Sequence, residues 1–387
     1  MDMEYITSSS GNITATTEAD FSSSLGESNV TEYNTTEMDA NESAGEDEEM
    51  LRIAFFIGHF VHQYYIPVLC CTGSIGNILS VFVFFRTKLR KLSSSFYLAA
   101  LAVSDTCFLA GLFAQWLNFL NVDIYNQNYF CQFFTFFSYL ASFCSVWFVV
   151  AFTVERFIAV IYPLKRQTMC TVRRAKIVLF CLTLVGCLHC LPYIVIAKPV
   201  FMPKLNTTIC DLNSEYKEQL ALFNYWDTIV VYAVPFTTIA VLNTCTGCTV
   251  WKFATVQNSS QLKVTKMLLI VSTVFVCLNL PSCLLRIEAY WETESARNQN
   301  STIALQYIFH AFFITNFGIN FVLYCVSGQN FRKAVLSIFR RVSSAQREAG
   351  NTQVTVSEYC RNTGTSTRRR MMTQHCWNEM HELHPLK

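Results

Sequence analysis

Charged and apolar positions are sharply partitioned along this chain of 387 residues. Residues Ile53–Phe85 contain no Asp, Glu, Lys or Arg, Leu92–Val122 contain only Asp105, and Ile124–Val154 again contain none. The same holds for Ile177–Ala197, for Gln219–Trp251 apart from Asp227, for Met267–Leu285 and for Asn298–Phe331. Crossing about 30 Å of hydrocarbon takes about 20 apolar helical residues, so each stretch holds one transmembrane helix. The pattern predicts an all-α membrane protein, a seven-transmembrane helix bundle. After the seventh stretch, Phe331, Val335, Ile338 and Phe339 recur at helical spacing between Arg332, Lys333, Arg340 and Arg341. That alternation suits a short amphipathic eighth helix lying on an anionic membrane surface.

Composition agrees: 52% of residues are hydrophobic and 14% charged, against about 25% charged in an ordinary soluble domain. A water-soluble globule and a nucleic-acid-coating chain are both excluded. The 17 cysteines are an odd number and most sit inside apolar runs, where they read as small hydrophobes rather than a disulfide framework. Charge is segregated, with 13 of the 27 acidic residues before Leu51 and Arg52 the sole base before Arg86. Lys and Arg concentrate after the odd-numbered stretches: Arg86, Lys88, Arg90 and Lys91; then Lys165, Arg166, Arg173, Arg174 and Lys176; then Lys252, Lys263 and Lys266; then Arg332 and Lys333. These loops are expected in the cytoplasm and the N-terminus outside. Glycosylation sequons at Asn12, Asn29, Asn34, Asn41, Asn206 and Asn300 fall on the expected outer side, while Asn258 matches the pattern in an expected cytoplasmic loop. No basic start followed by an apolar core precedes the first stretch, which is expected to serve as its own signal-anchor.

Polar groups inside spans are expensive and need a reason. The chain has Gly76-Asn77 in the first stretch, Leu101-Ala102-Val103-Ser104-Asp105 in the second, Glu155-Arg156-Phe157 ending the third and Asn320-Phe321-Val322-Leu323-Tyr324 in the seventh. Cys131 begins the third, Cys210 lies in the second outer loop, and Pro192, Pro235 and Pro281 sit in the fourth, fifth and sixth. As an ordered set over about Tyr64 to Arg341 these resemble the rhodopsin-like (class A) G-protein-coupled receptors. Within that family the runs Leu278–Ser282 and Asn320–Cys325 look like invertebrate neuropeptide receptors, of the CNMamide or the FMRFamide and myosuppressin group. The resemblance implies four parts: a disordered, glycosylated extracellular tail over 1–58, a receptor domain over 59–327, the amphipathic helix over 328–341 and a disordered cytoplasmic tail over 342–387.

The resemblance further implies a Cys131–Cys210 disulfide; two free buried thiols are the alternative. It makes Glu155, Arg156, Asn320 and Tyr324 the switch that meets a heterotrimeric G protein, although Arg156 would also suit ordinary snorkelling at a helix end. No Asp or Glu occurs between Trp251 and Arg286, so an ionic bridge from Arg156 to the base of the sixth helix is unavailable. Asp105, Ser145, Asn316 and Asn320 occupy the positions of an allosteric sodium site, with Asn77 nearby; a carboxylate among neutral oxygens suits a hard cation, and a hydrogen-bonded Asp without metal is the alternative. No other cofactor is expected. Several positions depart from the family: no Trp in the fourth stretch, Asn279 for an aromatic before the sixth-helix Pro, Phe321 for the seventh-helix Pro and Asn243 for a fifth-helix Tyr. The usual aromatic toggle and the proline that kinks the seventh helix are therefore missing.

The ligand is bounded first by exclusion. No Lys lies between Arg297 and Lys333, which rules out a retinal Schiff base, and Ser138 stands where amine receptors place a carboxylate. The outer half carries Gln115, Trp116, Ser138, Tyr139, Asp227, Arg286, Glu288, Gln306 and His310, expected to line a cavity for an extracellular peptide, with inter-helix hydrogen bonding as the other use for each. The loop from about Lys198 to Lys217 alternates polar and apolar residues and is expected to form a hairpin over the mouth. Thr352, Thr355, Ser357, Thr363, Thr365, Ser366 and Thr367 are candidate phosphorylation sites for receptor kinases and arrestin docking, or a merely solvated tail. The expectation is a plasma-membrane receptor and not an enzyme; a receptor for a small non-peptide ligand, or a transporter or channel, are the alternatives.

Overall fold

A computed structural model describes residues 52–203, 207–252, 259–291 and 299–338, with Glu49 and Arg340 as single positions. Six helices are long and apolar enough to cross a membrane: Arg52–Arg86, Ser93–Leu120, Phe130–Ile161, Val172–Ile196, Gln219–Lys252 and Thr265–Ile287. Helices Leu305–Gly318 and Asn320–Ser327, bent by 61° at one residue, make up a seventh span. We refer to these as the first to seventh spans. The order and positions match the charge-free stretches, because in lipid every backbone N–H and C=O must be satisfied within its own segment. Residues 52–58, expected to be the end of a tail, are helical.

Two spans widen by a π-turn, Val61–Tyr65 in the first and Ile229–Ala233 in the fifth. Each stands just before a proline, Pro67 and Pro235, whose ring would clash with the carbonyl four residues back in a regular helix. The seventh span breaks at Ile319 without any proline, contrary to what Phe321 suggested. Asn320 turns its side-chain amide to the Asn316 carbonyl at 3.4 Å, competing for the helix's own acceptor. At the same level Gly318 and Gly73 of the first span come so close that a Cβ on Gly73 would lie 2.8 Å from the Gly318 Cα. Two small residues let the seventh span cross the first at backbone distance.

The second and third spans are the most enclosed, each 61% buried over its most apolar window, whereas the fourth is 17% buried. The inner spans therefore carry the polar machinery and the fourth faces outward. Val61, Ile66, Cys70, Leu109, Leu112, Phe313, Ile314 and Phe317 form an apolar cluster among the first, second and seventh spans. Between the fourth and fifth spans strands β1 (Ala197–Met202) and β2 (Thr207–Leu212) pair antiparallel, with Pro199 opposite Cys210; this is the expected hairpin. A short helix, Pro163–Met169, follows the third span. Residues 329–338 are helical, within the range expected for the amphipathic helix. The chain divides into two compact units, residues 1–332 and 333–387, and all that follows concerns the first. Asn12, Asn29, Asn34, Asn41 and Asn206, and the tail's Ser and Thr sites, lie outside the described residues.

Candidate functional site

At one end of the bundle Cys131, at the start of the third span, is bonded to Cys210 of β2. The Cys210 amide also donates to Asn126 Oδ1 at 2.8 Å, and Tyr125, Cys131, Ala197 and Cys210 pack as one buried cluster. The hairpin is thus anchored covalently and by packing. Below it lies a charged group shared by three spans. Arg286 Nη1 of the sixth span donates to Asp227 Oδ2 of the fifth at 3.0 Å, and His189 Nε2 of the fourth meets Asp227 Oδ1 at 2.9 Å. A carboxylate only accepts, so His189 holds its proton on Nε2. The Arg286 guanidinium lies 5.3 Å from the Tyr232 ring centroid, a cation–π arrangement. Tyr139 stacks on Tyr193 at 3.7 Å, and His189 sits between Phe143 and Phe223.

Of the residues expected to line a cavity, Tyr139, Asp227 and Arg286 come together here. Trp116 takes another role, its indole N–H donating to the His62 carbonyl at 2.7 Å and fastening the second span to the first. His62 in turn meets the Tyr307 ring edge-on. His310 Nδ1 is buried without a hydrogen-bond partner among the described residues. Gln115 and Gln306 are half-buried, and Ser138 packs against Gly111, where a Cβ would strike its hydroxyl. The side chains of Glu288 and Asn300 lie outside the described set. His189 escaped the sequence reading. Its signal was there, a histidine inside an otherwise charge-free apolar stretch, but helix composition does not say which way it faces.

Half-way along, Asp105 is fully buried. Its two oxygens accept from Ser145 Oγ and from Asn320 Nδ2, both at 2.7 Å. Asn316 joins through its main-chain carbonyl, and Asn77 Nδ2 donates to the Phe317 carbonyl at 2.8 Å while its Oδ1 is buried without a partner among the described residues. A carboxylate and a hydroxyl in contact are oxygen donors of the kind that suits a small hard cation. Asn320 presents nitrogen, so it steadies the carboxylate rather than offering oxygen.

At the opposite end Arg156 Nη2 pairs with Glu155 Oε1 at 2.8 Å, and both side chains are buried. The Ser93 hydroxyl of the second span donates to the same Oε1, while Glu155 Oε2 and Arg156 Nε are buried without partners among the described residues. Cys170, in the loop beyond the short helix, lies with Sγ 3.7 Å from the Glu155 carbonyl; burial pushes its thiol up. Tyr324 packs edge-on against Phe84 and Phe331, its buried hydroxyl without a hydrogen-bond partner among the described residues. The residues expected to form the switch therefore divide: Glu155 and Arg156 stay together, Asn320 belongs with Asp105, and Tyr324 with aromatic rings. Asn279 turns back on its own helix, donating to the Phe275 carbonyl at 2.8 Å.

An ordered bundle with a cross-linked hairpin at one end, a buried aspartate at its centre and a Glu-Arg pair at the other can be compared with known proteins. Residues 76–324, more than half of the chain, match the model of the 7 transmembrane receptor (rhodopsin family). The chain belongs to that family. It is a multi-pass membrane receptor by descent and not an enzyme. Among its relatives, the FMRFamide receptor of Drosophila melanogaster is 26% identical over 308 residues, covering 71% of this chain and 53% of that receptor. The human cysteinyl leukotriene receptor 1 is 26% identical over 298 residues, 74% of this chain and 88% of the relative. The human thyrotropin-releasing hormone receptor is 32% identical over 195 residues, 45% of this chain and 44% of the relative. The chain thus spans about half the length of the first and third of these relatives.

Proposed function

We propose that this receptor resides in the plasma membrane with its N-terminus outside, binds an extracellular peptide at the disulfide end and activates a heterotrimeric G protein at the arginine end. The observation that carries the ligand side is the Arg286–Asp227–His189 group. Asp227 is committed to two donors, whereas Arg286 spends one of its five N–H groups on it and is 30% exposed. The site therefore offers fixed donors for a carbonyl or carboxylate oxygen. Relatives named for FMRFamide, thyrotropin-releasing hormone and neuromedin-K support a peptide as the bearer of that oxygen. The basic residues Arg86, Lys88, Lys165 and Arg332 lie at the arginine end, as the positive-inside rule requires for that orientation. Receptor kinases and arrestin acting on residues 352–367 complete the reading.

A neuropeptide library applied to cells expressing the full chain, with calcium and cyclic AMP read together, tests it. An active peptide is expected, and Arg286→Ala should lower its potency about tenfold or more at unchanged surface amount. Unchanged potency would remove Arg286 from the ligand site, and truncation after Val342 should abolish agonist-driven internalisation. The leukotriene-receptor relative favours one second reading, a small non-peptide acid held by the same Arg286, which a lipid-acid panel in the same cells distinguishes. We further propose that sodium binds at Asp105 with Ser145 and weakens agonist binding. Asp105→Asn should abolish the difference between sodium and potassium buffers, and a persisting difference would place the ion elsewhere.

A further inference from the structure

The base of the sixth span carries no Asp or Glu, and Arg156 turns to Glu155 of its own helix. Some other contact must hold that base against the bundle. On the fifth span Asn243 Nδ2 donates to Ser272 Oγ of the sixth at 2.7 Å. The Ser272 hydroxyl donates its own hydrogen to the Leu268 carbonyl at 2.9 Å, so it is acceptor and donor at once. Ser272 is buried, and Asn243 stands where the family resemblance led us to expect a tyrosine. Lower on the sixth span, Met267 Sδ lies over Gly328, so close that a Cβ there would fall 2.6 Å away. Asn243 and Ser272 border a small cleft together with Phe152, Arg156, Thr265 and Leu268. The amide thus closes the same space that Arg156 faces.

We infer that the Asn243–Ser272 hydrogen bond is the resting-state latch of this receptor, positioning the base of the sixth span and breaking before Arg156 is uncovered. The inference rests on the receptor reading for its signalling arm but not for its structural arm. In hydrocarbon a bond between neutral side chains has no water competing for it, yet the separated partners still find their own helix backbone, so its net strength is small. The latch is therefore shallow, and its loss should raise the open population about threefold.

The test uses the full chain in native membranes carrying Thr265→Cys, a position 3% exposed in the closed bundle. Its labelling by a charged maleimide applied from the arginine side is read by peptide mass, and ligand-free nucleotide exchange is followed on purified G-protein heterotrimers of several classes. Asn243→Leu keeps the volume without the donor, Ser272→Ala removes the acceptor, and Ser272→Thr keeps the hydroxyl with its methyl toward the cleft. Expected are labelling rates raised about threefold by Asn243→Leu and by Ser272→Ala, no further rise in the double variant, and an unchanged rate in Ser272→Thr. Unchanged labelling in the first two, additive effects in the double, or an equal rise in Ser272→Thr would each overturn the latch. Raised labelling with no nucleotide exchange on any heterotrimer would uphold the latch and count against G-protein coupling.

Discussion

The two ends of the bundle treat buried charge in opposite ways. At the disulfide end Asp227 joins the fourth, fifth and sixth spans through His189 and Arg286. Both of its oxygens are used, so the three helices are tied by a group in which every member depends on the others. At the arginine end the ion pair is between sequence neighbours, Glu155 and Arg156, and among the described residues it is hydrogen-bonded to another span through the Ser93 hydroxyl. The fifth and sixth spans are linked there by neutral Asn243 and Ser272. A charge pair bridging helices resists their separation, because parting leaves an uncompensated charge in a low-dielectric interior. A pair within one helix travels with it and resists nothing. At the arginine end the fifth and sixth spans are joined by a weak neutral link, and at the disulfide end they are joined by charge.

Isosteric amide substitutions break this comparison most sharply. Asp227→Asn removes the carboxylate that answers Arg286, and only His189, with its proton moved to Nδ1, can accept from the new NH2. It should cost about 2–3 kcal/mol, read as a large fall in the thermal midpoint of the purified receptor. The Asn243–Ser272 link is expected to come next, as an effect on opening rather than on stability. Smallest is Glu155→Gln. Ser93 and Arg156 share Oε1, and Oε2 has no partner among the described residues, so glutamine can keep its oxygen on both donors with its NH2 in the place of Oε2. A loss of about 1 kcal/mol is expected from the same melting measurement. Equal losses for Asp227→Asn and Glu155→Gln would mean that the contrast between the two ends does not govern their energetics.

Much of the molecule was legible from its residues. The seven spans follow from charge-free lengths, since the cost of an unpaired backbone group in lipid leaves a long apolar segment only a helix to adopt. Asp105, Ser145 and Asn320 were grouped through the family resemblance, and the structure brings their side chains into contact. Cys131 and Cys210 were paired on the same grounds and are bonded. Other features were hidden. Trp116 reads as a cavity aromatic, yet its indole is spent on the His62 carbonyl. The break at Ile319 has no proline to announce it and arises from Asn320 reaching the Asn316 carbonyl near Gly318. His189 became part of a charged group because the fourth span is rotated to aim it at Asp227.

The order of amino acids alone determined how often the chain enters an apolar medium, where each passage starts and ends, and which few polar groups are carried inside. These depend on local composition, which transfer from water to hydrocarbon weighs segment by segment. Only the tertiary structure decided which of those groups meet. That depends on the rotation and closeness of helices far apart in sequence, set by contacts such as Gly73 against Gly318. A turn of one helix by a single residue sweeps a side chain through about 100°, enough to exchange a charged partner for lipid.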